Sequence, residues 1–114
     1  MNGFDLDGVV SLGIHPGPDD VIITGRSFEQ AKETYAFLHA RSIFNAVYFN
    51  PINYVDRSRE KSGAWKAFIL NTIKVDRYFE DDPVQLEIIK QAHPELDIIH
   101  IVHNVPILKI SEIK

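Results

Sequence analysis

The chain has 114 residues, of which 45% are hydrophobic and 25% charged, and a formal net charge of −4. That length suits one domain with its own core, and that composition excludes a disordered or low-complexity polypeptide. The acidic balance argues against a polynucleotide partner, because phosphate backbones are met by clustered Lys and Arg, although a local basic mouth stays open. The absence of cysteine excludes disulfides, thiolate nucleophiles and thiolate metal sites. No apolar run approaches the roughly 20 residues of a membrane helix, and no signal-like hydrophobic core opens the sequence. The cytoplasm is therefore the expected compartment.

Residues 2–5 are predicted as a short first strand that runs into Asp5-Leu6-Asp7-Gly8, where two carboxylates one residue apart meet a glycine able to turn the backbone. Residues 8–20, with Gly13, Pro16, Gly17 and Pro18, read as a loop or small flap. The apolar run of residues 21–24 predicts a strand buried on both faces and closed by Thr24, after which Gly25-Arg26 turns the chain. Ser27 and Gln30 form a capping-box pattern, and Phe28, Ala31, Tyr35 and Leu38 recur at helical spacing, predicting a helix over 28–40.

Residues 44–49 are the next strand candidate, closed by Asn50-Pro51. Residues 50–61 read as an exposed polar loop carrying Arg57, Arg59 and Lys61. Ser62 is expected to cap a helix whose inward stripe is Trp65, Phe68, Ile69 and Ile73, with Lys66 in its first turns and off that stripe. A strand over 75–79 ends in Glu80-Asp81-Asp82-Pro83, where Asp82 is expected to cap a helix with Pro83 at its first position. That helix should bury Val84, Ile88, Ile89 and Ala92 and stop near His93-Pro94. A last buried strand is expected over 98–102, and an edge strand over 105–113 is weakened by Pro106.

Alternating strands and helices predict an α/β fold: a single three-layer α/β/α, Rossmann-like domain over residues 1–114. Its sheet should be mostly parallel, of about five strands joined by right-handed crossovers, with no cap domain. Ligands of such sheets sit beyond the carboxyl ends of the strands. Asp5 and Asp7, Thr24 and the 80–82 acidic cluster all fall there, and Lys66 lies near a helix start facing the same rim.

The ordered set Asp5-Leu6-Asp7, Thr24 closing an apolar strand, Lys66 early in a helix and Glu80-Asp81-Asp82 ending a strand resembles the haloacid dehalogenase-like superfamily of phosphohydrolases. The resemblance covers residues 2 to 90. It implies that Asp5 attacks phosphorus to give an aspartyl-phosphate and that Asp7 acts as general acid and then base. It implies Mg2+ held by Asp5, the Asp7 backbone carbonyl and an acid of the 80–82 cluster, with Asp81 favoured and Glu80 in support. Thr24, the Gly25 N–H and Lys66 would hold the phosphate.

Lys61 competes with Lys66 for the lysine role, and Val9 stands where many members have Thr. Only 16 residues separate Asp7 from Thr24, too few for the usual cap. A capless member implies a phosphorylated small molecule or a large, macromolecular substrate, with nucleic acid open though not indicated by charge. Arg26 and His15 are possible substrate contacts. The histidine spacing argues against zinc. The alternative from a different class is a regulatory module that binds phosphate and Mg2+ without turnover. Receiver domains carry their phosphorylated Asp on the third strand, whereas residues 44–49 here contain no acid.

Overall fold

A computed structural model describes residues 1–103. The expected edge strand over 105–113 lies outside the described residues. The elements are β1 (Gly3–Phe4), β2 (Val21–Ser27), α1 (Ala31–His39), β3 (Val47–Asn50), α2 (Arg59–Thr72), β4 (Arg77–Glu80), α3 (Pro83–Ala92) and β5 (Asp97–His100), with short 3-10 turns at Val10–Leu12, Phe28–Gln30 and Tyr54–Asp56. The five strands make one sheet in the order β3-β2-β1-β4-β5, and every pairing is parallel. The expectation of a mostly parallel sheet is thus met by an entirely parallel one. No additional domain is inserted among the described residues, and none of their helices is long and apolar enough to cross a membrane.

Strand alternation divides the core between two faces. Ile22 joins Phe4, Leu6, Val9, Val10, Leu38 and Ile43 on the α1 side, while its neighbours Val21 and Ile23 join Ala67, Leu70, Tyr78 and Ile89 under α2 and α3. The segment after β1 is more than a flap: Leu6, Val9 and Val10 are buried, so it forms part of the first core.

Three local expectations along the chain are corrected first. β2 does not turn at Gly25-Arg26 but continues to Ser27, where it regains register with Asn50 of β3 after an irregularity. The Arg26 N–H donates to Thr24 Oγ1 at 3.0 Å, a local side-chain bond within the irregular stretch between Ile23 and Ser27. α1 buries Thr34 and Leu38, whereas Phe28 and Tyr35 lie exposed against the edge residue Phe49. Among the described residues β5 is an edge strand, and its Ile98 and Ile99 are half-buried.

The largest correction concerns α2. Its N-cap is Ser58, whose Oγ accepts from the Lys61 N–H at 3.1 Å, so Lys61 lies in the first turn and Ser62 is inside the helix. The buried face is Ser62, Gly63, Lys66, Ala67 and Leu70, while Phe68 is 63% exposed. Small residues face inward because α2 lies close to α3: a Cβ on Gly63 would sit 3.1 Å from Gln85 Cα and 3.0 Å from Ile88 Cδ1. At α3 the start is as expected, with Asp82 Oδ1 accepting from the Val84 N–H at 3.0 Å and Pro83 in the first turn. Ala92, expected inside, is exposed.

Candidate functional site

The sheet order places the reversal of strand progression between β1 and β4, and in open α/β sheets that switch point is where ligands bind. Asp5 leaves β1 there, with its N–H donating to the Phe79 carbonyl of β4 at 2.9 Å. Lys66 reaches it from α2. Its Nζ donates to Asp5 Oδ1 and to Glu80 Oε1, each at 2.8 Å. All three side chains are buried, with relative exposures of 5% for Asp5, 1% for Lys66 and 0% for Glu80. Glu80 is satisfied further by the Tyr78 hydroxyl at 3.1 Å on Oε1, and by the Asp81 and Asp82 N–H groups at 3.2 and 3.3 Å on Oε2.

One buried cation therefore serves two buried carboxylates. Burial pushes the Asp5 carboxyl well above the usual carboxylate range; Lys66 opposes this and the Glu80 charge adds to it. Glu80 is held below its ordinary value: burial disfavours its charge, but Lys66 and the hydrogen bonds it accepts prevail. Burial opposes the charge of Lys66 as well, yet its two carboxylate partners raise its pKa.

Asp81 completes an acidic cluster with Asp5 and Glu80, one carboxylate oxygen from each lying within 4.8 Å of the others. Gly8 makes the approach of Asp81 possible: it adopts φ +86°, which disfavours side chains, and a Cβ there would run into the Asp81 carboxylate. All donors are oxygens, a set that suits a hard divalent cation such as Mg2+ and not a soft one. His103 Nε2 approaches Asp81 Oδ2 at 3.5 Å from beyond β5.

Asp7 is exposed and gripped by a two-pronged guanidinium. Arg26 Nε and Nη2 donate to Asp7 Oδ2 and Oδ1 at 2.9 and 2.8 Å, and Nη1 donates to Thr34 Oγ1 at 3.0 Å. Asp5, Asp7, Gly25, Arg26, Lys66 and Asp81 line one cleft of about 660 Å3, together with Arg57, Ser58, Arg59, Ser62, Asp82, Pro83 and Gln85. Thr24 is fully buried and outside that lining; its Oγ1 accepts the Arg26 N–H, and its carbonyl accepts from Trp65 Nε1 at 3.1 Å. His15 is exposed and does not line the cleft.

The structure thus brings together Asp5, Asp7, Gly25, Arg26, Lys66, Glu80 and Asp81, and leaves Thr24 behind the wall and His15 apart. Three participants escape sequence reasoning. Ser62 precedes Lys66 by four residues, so it shares a helix face with it, a signal hidden by assigning it as the cap. Gln85 stands at the third position of α3. His103 has no local signal, because a segment beyond the last strand delivers it. Comparisons with protein-family models, curated proteins and solved structures give no match for this chain.

Proposed function

We propose that the chain is a Mg2+-dependent phosphatase that hydrolyses a phosphomonoester through an aspartyl-phosphate, with a haloacid dehalogenase-like core and no cap. The observation that carries this reading is the buried Lys66 bridging Asp5 and Glu80, beside Asp81, at the switch point of a parallel sheet. Asp5 is the nucleophile. Lys66 fixes its orientation and favours its ionised form, and Asp81 and Asp5 would hold the cation with Glu80 behind them. Bound Mg2+ would offset charge on the phosphoryl oxygens. The Gly25 N–H and the Ser62 hydroxyl are the wall groups for the phosphate, while Thr24 shapes the end of β2. Asp7, at the mouth, would protonate the leaving oxygen and later draw a proton from water.

A second reading has its own observation. Arg26 occupies both oxygens of Asp7, an arrangement suited to binding a phosphate and Mg2+ without turnover. Release of phosphate from a panel of phosphomonoesters, with and without Mg2+, separates the two. The phosphatase reading expects Mg2+-dependent release, at least about 10³-fold lower in Asp5→Asn. Absence of release from every ester, with Asp5→Asn indistinguishable from wild type, would leave only the binding module.

A further inference from the structure

The cations lining the cleft divide by the partner each has. Lys66 faces Asp5 and Glu80, Arg26 faces Asp7, and Arg59 grips Asp82 with Nε at 3.0 Å from Oδ2. Arg57 differs. Among the described residues its guanidinium has no carboxylate partner; it donates to the Gly25 carbonyl and to Gln30 Oε1, the latter at 3.1 Å, and lies 4.8 Å from the centre of the Tyr54 ring. Neutral acceptors and an aromatic face order the guanidinium without cancelling its charge. A half-buried, pre-ordered and uncompensated guanidinium in a cleft wall is an anion receptor.

The cleft, at about 660 Å3, is also of the size that takes a whole organic ligand, beyond what orthophosphate fills.

We propose that the cleft takes an organic phosphate bearing a second phosphate group, with Arg57 binding the phosphate that is not transferred. The inference rests on the phosphatase reading for which phosphate is transferred, but Arg57 acts through binding. Both a small bisphosphate and the penultimate phosphodiester of a phosphorylated oligonucleotide end carry this chemistry.

Calorimetric titration of the Asp5→Asn protein in Mg2+ tests it without turnover. The probes are adenosine 5′-monophosphate, adenosine 3′,5′-bisphosphate and a 3′-phosphorylated dinucleotide. At least one of the probes with two phosphate groups should bind about 10- to 100-fold tighter than the monophosphate, the range of one charge-assisted guanidinium contact. Arg57→Met added to that protein should erase the preference, and Arg57→Lys, which keeps the charge and loses the fork, should retain an intermediate one. Whichever of the two probes with a second phosphate binds more tightly identifies the source of that phosphate.

Equal affinities for all three probes, or a preference that survives in Arg57→Met, would overturn the proposal. Should Arg57→Met fail to fold, the wild-type-Arg57 preference and its reduction in Arg57→Lys decide. A preference in binding with no hydrolysis by the Asp5-containing protein would uphold this inference while removing the phosphatase. Hydrolysis without the preference would do the reverse.

Discussion

At the scale of single residues, the site is dominated by Lys66, a 1%-exposed ammonium between two buried acids. Replacing it by Met strands both carboxylates. Removing one partner of a buried ionic set costs about 3–5 kcal/mol, and urea unfolding of Lys66→Met should show a loss of that order, partly restored by millimolar Mg2+. Asp5→Asn should do the opposite in metal-free buffer at neutral pH. It leaves Lys66 and Glu80 as a one-to-one pair and removes a carboxyl whose burial raises its pKa, a gain of about 0.5–2 kcal/mol typical of relieving a functional site. An unchanged or lowered urea midpoint for Asp5→Asn would show that Lys66 fully compensates both acids.

The residue types of this centre were legible in the chain. Asp5, Lys66, Glu80 and Asp81 carry their spacing to strand ends and a helix start. The clasp of Arg26 on Asp7 was not, because it depends on β2 continuing three residues beyond Thr24.

At the scale of elements, α2 and α3 form the wall of the cleft and meet through small side chains. Gly63→Ala pushes a methyl against the α3 backbone at Gln85 and should cost about 1–3 kcal/mol, measured as a lowered urea midpoint with an unchanged slope. Asp82 starts α3, and Asp82→Ala should lose about 1 kcal/mol. That contribution depends on pH in a defined direction. Arg59 and the Val84 N–H hold the Asp82 carboxyl below its ordinary 3.8, so the folded state prefers the ionised form. The stabilisation is complete above pH 3.8 and vanishes as pH falls through the depressed value, so the stability gap between wild type and Asp82→Ala should narrow as pH falls below 3.8.

Asp-Pro announced α3 because capping is written locally. α2 departs from its local signals for the converse reason. Ser62 imitates a cap, and the bulky apolar residues that suggested a stripe flank the contact, while serine, glycine, alanine and the lysine stem fill it. Inward-facing polarity at a site defeats a reading based on hydrophobic periodicity alone.

At the scale of the whole molecule, the five parallel strands and the two cores on either side of them followed from the alternation of strand and helix patterns, whereas edge positions did not. Burial of β5 depends on its neighbours, which among the described residues are β4 on one side only, and no property of residues 97–100 encodes that. If the acidic cluster holds the proposed cation, the whole domain should respond. Mg2+ at 100 times its dissociation constant adds about 2.7 kcal/mol, a rise in melting temperature of about 10 °C or more for a chain this size that Asp81→Ala should abolish.

The two-residue strand β1 lies at the centre of the sheet and bonds to both β2 and β4. Its partner on one side begins at Val21, but on the other at Arg77. During synthesis, then, Asp5 emerges long before Lys66 and Glu80, and a nascent chain ending at residue 72 has nothing to close the far side of its central strand. Asp5 is made well before the partners that enclose it, Lys66 and Glu80. Such a long-range closure predicts refolding in milliseconds to seconds, slower than for a helical bundle of equal length.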